Sequence, residues 1–174
     1  GSFVAHPRLH SMVLDIPDLM QEVLLRGQSY RFELLEREIK RATNHDDDLG
    51  SGRILTMLGL HYADGQQLAV EDRGVSLKAV PDIEHASFES EPPGSWLLRH
   101  VPWTEAETRI SASAANDQIA SLLLVKVGAP VLQIERRTWR GDDRVTFVKQ
   151  SFRAEAYDLV ARFKAQDVAR RQTN

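Results

Sequence analysis

The chain contains no cysteine, which excludes disulfides, thiolate metal sites and cysteine nucleophiles and suits a reducing cytoplasm. It also lacks an excess of positive charge: 22 Lys and Arg stand against 25 Asp and Glu, for a formal net charge of -3. A sequence-independent grip on nucleic acid needs a basic stripe, so these residues alone are expected to bind DNA or RNA weakly. No run approaches the ~18 uninterrupted apolar residues of a membrane helix. The first residues show no positive-then-apolar signal pattern, and no membrane role is expected. Asp46-Asp47-Asp48 lacks the spacing of a calcium loop, and neither a metal nor a cofactor is expected.

Apolar material for a core is plentiful, at 42% of 174 residues, and that length favours a single domain. Gly1-Ser2 reads as the scar of a removed expression tag, so residues 1–14 are expected to hold that scar, a strand end at Phe3-Val4-Ala5 and a linker after His6-Pro7. The domain proper is expected over 15–174.

Apolar residues at Ile16, Leu19, Met20, Val23 and Leu24 have helical spacing and Gly27 follows as a stop, which predicts a helix from Ile16 to Arg26. Tyr30, Phe32 and Leu34 alternate as in a strand, and Asn44 to Gly52 is a loop rich in Asp and Gly. Arg53 to Val75 is a hairpin. A two-residue Asp64-Gly65 turn would mix polar and apolar groups on both faces. A three-residue Ala63-Asp64-Gly65 loop instead places Leu58, Leu60, Tyr62, Leu68 and Val70 on one face and Gly59, His61, Gln67, Ala69, Glu71 and Arg73 on the other, and is adopted. Ser95 is read as the N-cap of a short helix carrying Trp96, and Thr104 to Ala114 as a strand whose polar face holds Glu107 and Arg109. Asn116 caps a helix through Leu124, and strands Val131 to Trp139 and Val145 to Phe152 form a second hairpin around Gly141-Asp142-Asp143. This order describes an α+β domain: a mostly antiparallel sheet with flanking helices.

Leu60-His61-Tyr62-Ala63-Asp64-Gly65, Val70-Glu71-Asp72-Arg73, Pro81-Asp82, Trp96-Leu97-Leu98-Arg99 and Glu135-Arg136-Arg137-Thr138-Trp139 together resemble, in order and spacing, the UTRA domain of GntR-type bacterial transcription regulators, in particular the histidine-utilisation repressors. Phe3-Val4-Ala5 is similar to the last wing strand of the winged helix-turn-helix that precedes this domain in the family. The resemblance implies a fold like that of chorismate lyase, a homodimer, operator DNA read by an N-terminal domain outside these residues, and a small-molecule effector. That effector would be an organic acid such as urocanate, or a sugar phosphate. Two positions depart from the family pattern: Thr108 stands where a histidine is usual, and Arg153-Ala154-Glu155-Ala156 precedes Tyr157 in place of a glycine-rich stretch.

His61 and Glu71 share a face and, by the resemblance, contact the ligand; a half-polar sheet face can equally be solvated or dimer-facing. Arg73, Arg109 and Arg137 offer planar forks of donors matched to a carboxylate or phosphate, or else surface ion pairs. Arg136 and Arg137 must point to opposite sides of their strand, and Arg136 is assigned the structural role. Ser95 is either a cap or an anion site at a helix start. Trp96 is either core or a stacking plate, and Tyr157 aligns with a family tyrosine near the pocket. Together with Glu107 these make the ligand-binding candidates, and none is assigned a catalytic role. Two alternatives stand beside the effector-sensing regulator: a chorismate-lyase-like enzyme, and a dimerisation module with no ligand.

Overall fold

A computed structural model describes residues 9–12, 15–43 and 49–165. Strand β1 (Leu9–Met12) pairs in parallel with β8 (Tyr157–Val160) as a separate two-stranded sheet. The main sheet has six antiparallel strands: β2 (Tyr30–Arg41), β3 (Arg53–Ala63), β4 (Gln66–Ser76), β5 (Glu105–Ala114), β6 (Pro130–Arg140) and β7 (Asp143–Arg153). Their spatial order is β2-β3-β4-β7-β6-β5. Helices α1 (Leu19–Leu25), α2 (Pro93–His100) and α3 (Asp117–Leu123) flank it, and a 3-10 turn at Pro81–His85 links β4 to α2. This is the α+β architecture expected. The wing-strand reading of Phe3-Val4-Ala5 and the Asp46-Asp47-Asp48 loop lie outside the described residues.

Three boundaries moved for identifiable reasons. The first helix starts at Leu19 because Pro17 holds Ile16 out of helical geometry, and Asp18 caps it by accepting from the Gln21 amide at 3.3 Å. In α2, Pro93 occupies the first turn with Pro92 as the cap residue, so Ser95 lies inside the helix rather than at its cap. The β3–β4 turn is the two-residue loop that alternation argued against: Ala63 pairs with Gln66, and Asp64 and Gly65 have φ of 49° and 75°. Two positive φ values mark the turn whose twist suits a hairpin. The alternation is rescued by a bulge at Leu68, where His61 pairs with Ala69 but Tyr62 with Gln67. The faces therefore come out as expected except at two residues: Gln67 pairs with Tyr62 on the far face, and Leu68 packs with Ala69 and Phe152 rather than beside Leu60.

Paired residues share a face, so the register assigns every strand. The near face carries α1 and α2, and the far face carries α3. On the far face Leu60, Tyr62, Val70 and Val131 pack with Ala120 and Leu123. Helix α3 is held by the Asn116 side chain, which accepts from the Ile119 amide at 2.9 Å. We expect Asn116→Ala to cost about 1 kcal/mol and to lower the melting temperature by roughly 2–4 °C. An unchanged thermal melt would show that packing alone holds α3. On the near face one apolar cluster joins Leu55, Met57, Val75 and Val145 to Leu97 of α2, and another joins Ala69, Ile134, Phe152 and Tyr157 to Leu19 and Val23 of α1. Between these two clusters the sheet is polar, and there the candidate site lies.

Candidate functional site

The polar strip is built from alternate residues of four adjacent strands: His61 on β3, Glu71 and Arg73 on β4, Thr146, Val148 and Gln150 on β7, and Arg136 and Thr138 on β6. It lines a cavity of about 50 Å³ roofed by Ile16-Pro17-Asp18 ahead of α1, by Gly94, Ser95 and Leu98 of α2, and by Trp103. His61, Glu71, Arg73, Arg136 and Gln150 are all buried.

Glu71 is the hub. Its Oε1 accepts from Arg73 Nε at 2.7 Å; its Oε2 accepts from Gln150 Nε2 at 2.8 Å and faces His61 Nε2 at 3.0 Å. A carboxylate only accepts, so His61 presents its proton from Nε2, and Nδ1 is free to take the Tyr30 hydroxyl proton at 2.7 Å. Burial alone would push the Glu71 carboxyl up. The Arg73 charge and the His61 hydrogen bond outweigh it and hold the carboxyl far below the usual glutamate range. Burial, with a smaller contribution from the Glu71 charge, pushes the Tyr30 hydroxyl well above the ordinary tyrosine range.

Arg73 also donates from Nη1 to Thr146 Oγ1 at 3.3 Å, and the Thr146 hydroxyl passes its own proton to the Gly74 carbonyl at 2.8 Å. A Cβ on Gly94 would stand 3.0 Å from Arg73 Nη2, so the glycine gives α2 room to close over this guanidinium. Arg136 is placed differently. Its Nε donates to Thr108 Oγ1 at 3.0 Å, and no carboxylate pairs with it among the described residues. Burial first, and the nearby Arg73 charge second, lower its pKa against the opposing influence of Tyr157, Glu71 and Glu22. The cavity wall thus carries two guanidiniums and two carboxylates, Glu71 and Asp18. Glu71 is taken by Arg73, His61 and Gln150, and Asp18 by Ser95 and the Gln21 amide. Neither is a hydrogen-bond partner of Arg136, and a buried guanidinium without a carboxylate partner favours an anion.

The region 25–158 matches the UTRA domain family. The chain belongs to that family. This UTRA domain is 30% identical over 167 residues to the histidine utilization repressor of Klebsiella aerogenes, covering 94% of the chain and 69% of that protein. It is likewise 30% identical over 170 residues to the histidine utilization repressor of Pseudomonas aeruginosa, covering 95% and 68%. Among solved structures it is similar to the C-terminal domain of the histidine utilization repressor from Pseudomonas syringae pv. tomato (TM-score 0.72, 25% identity, 78% of this chain and 99% of that one). It also superposes on PhnF from Mycobacterium smegmatis (TM-score 0.80, 18% identity, 93% and 74%), a likeness of fold. The UTRA domain is accordingly a sensing module of transcription repressors and not an enzyme. No helix among the described residues is long and apolar enough to cross a membrane.

Of the candidate residues, the structure of this UTRA domain brings His61, Glu71, Arg73 and Ser95 to the cavity wall. It does not bring the others there. Trp96 packs against the α2 cluster and stacks on His100 at 4.2 Å. Tyr157 is buried against Phe152, with ring centroids 3.9 Å apart. Glu107 and Arg109 share the far face of β5 and are exposed, and Arg137 lies on that face over Phe147, with Nη1 3.5 Å from Glu107. The two neighbouring arginines of β6 thus exchange the roles expected of them: Arg136 enters the cavity and Arg137 points away. One signal could have separated them, because Arg136 shares strand parity with apolar Leu132 and Ile134, and Arg137 with Gln133 and Glu135. Ser95 is no anion site here, since its hydroxyl donates to Asp18 Oδ1 at 2.6 Å and ties α2 to the cap of α1. Gln150 and Asp18 carried no sequence signal, because their roles depend on which strands and helices become neighbours.

Proposed function

We propose that this domain senses a small anionic metabolite in the near-face cavity on behalf of a homodimeric cytoplasmic repressor, whose operator DNA is read by a domain outside these residues. The observation that carries the reading is the buried Arg136 guanidinium, with Thr108 for its Nε and no carboxylate of its own. A carboxylate or phosphate gives it a direct partner. Glu71 and His61 hold Arg73 and each other, and so shape the cavity without orienting the effector directly. An organic acid such as urocanate fits this charge pattern, and so does a sugar phosphate.

A thermal-shift screen over urocanate, other aromatic acids, sugar phosphates and inorganic phosphate tests this. A ligand at one hundred times its Kd stabilises by about 2.7 kcal/mol, which raises the melting temperature by roughly 5–10 °C. A flat response to every anion would favour the alternative of a dimerisation module with no ligand.

A further inference from the structure

The two edges of the main sheet are built differently. β2 is interrupted by a bulge between Leu34 and Glu36 and is studded with Arg31, Arg37, Lys40 and Arg41, features that blunt an edge against pairing. β5 is less protected: its charges are confined to Glu105, Glu107 and Arg109 on one face, and its ten residues run without bulge, proline, glycine or lysine and pair with β6 in unbroken register. Its outer side meets no other strand of the sheet, and Ile110 is 39% exposed on its near face.

We propose that β5 pairs antiparallel with β5 of a second copy of this chain, with the two-fold axis at Thr108. The charges select that register. Centred on Thr108, Glu107 lies opposite the partner's Arg109 and Arg109 opposite the partner's Glu107, both on the far face. On the near face Ala106 covers the partner's Ile110, and the two threonines at the axis face each other. Shifting the centre to Glu107 or to Arg109 puts like charges directly opposite, which is destabilising, and centring on Ala106 opposes Glu105 with the partner's Glu107. Centring on Ile110 forms no ion pair at all.

This interface adjoins the cavity, because the Thr108 hydroxyl at the axis is the group that takes Arg136 Nε at 3.0 Å. An anion drawn to Arg136 therefore acts one hydrogen bond away from the strand that joins the protomers. The inference rests on the homodimeric reading above and names the surface and register that produce it.

Sedimentation of the chain with Arg109→Glu and with the swap Glu107→Arg/Arg109→Glu tests it, with circular dichroism confirming the fold of each. The wild type is expected as a dimer. The single variant, which turns two attractive pairs into two repulsive ones, should weaken dimerisation about tenfold or more, and the swap should restore it. The absence of native cysteine allows a direct check of register: oxidised Thr108→Cys should yield a covalent dimer and Ser113→Cys should not. A wild-type dimer indifferent to Arg109→Glu, or cross-linking at Ser113→Cys alone, would overturn the edge pairing while leaving the homodimer intact. A monomeric wild type would overturn both. None of these results bears on the anion site, which the thermal-shift screen reads separately.

Discussion

Replacing Glu71 by glutamine is expected to destabilise the domain by about 3–5 kcal/mol, the cost of leaving a buried charge without its partner. That corresponds to a fall in melting temperature of roughly 6–20 °C. The reason is the position of Glu71 between Arg73, His61 and Gln150, at distances of 2.7, 3.0 and 2.8 Å. Glutamine keeps the shape but loses the charge that faces the Arg73 guanidinium, and its amide nitrogen must find an acceptor where the carboxylate oxygen received a hydrogen bond. The same carboxyl makes stability depend on pH. Its folded pKa lies below the unfolded value, so the folded state binds that proton more weakly. The stabilisation is present above the unfolded glutamate pKa of about 4.3 and is lost as pH falls below it. Denaturant melts between about pH 7 and pH 3 should therefore show the wild type losing more stability than Glu71→Gln. Parallel pH profiles, or a variant as stable as the wild type at neutral pH, would refute the role of Glu71 as the counter-charge of the cavity.

Arg136→Ala is expected to weaken binding of the acid that emerges from the thermal-shift screen by about 1.5–3 kcal/mol, the range for a hydrogen bond to a charged group. In Kd this is roughly 10- to 150-fold. Stability without ligand should hold or rise slightly, because the variant removes a guanidinium that is desolvated beside Arg73 and has no carboxylate of its own. Arg109→Ala is the informative contrast. Sequence reasoning placed Arg109 with Arg73 and Arg137 among the anion-holding candidates, but the register carries its side chain to the far face, across the sheet from the cavity. Isothermal titration should find effector affinity unchanged in Arg109→Ala. Should Arg136→Ala bind as tightly as the wild type, Arg136 is not the anion contact.

The contrast between these arginines shows where sequence reading reached its limit. Alternation along a single strand is local information, and it was enough to place His61, Glu71 and Arg73 on one side of one hairpin. The error at the turn did not spoil this, since the bulge at Leu68 restored the parity that a three-residue loop would have produced. Parity with Leu132 and Ile134 marks Arg136 as the inward arginine of β6, but that its face continues the cavity face of β4 depends on β7 lying between them. Ser95 shows the same limit from the helical side. Its hydroxyl could be foreseen at the start of a helix, but its partner Asp18 lies 77 residues away and reaches it only when α1 docks beside α2.

The sequence by itself determined the element order, the α+β class, the family through blocks such as Glu135-Arg136-Arg137-Thr138-Trp139, and the absence of thiol chemistry, because each is written in residue identity and short-range periodicity. Only the tertiary structure decided that Glu71 is saturated and Arg136 is not. It also decided that the polar strip is closed by α1 and α2, and that β5 is the less protected edge. Each of these depends on which distant strands become neighbours, and at that range a side chain's surroundings are set by packing and register rather than by the residues beside it in the chain.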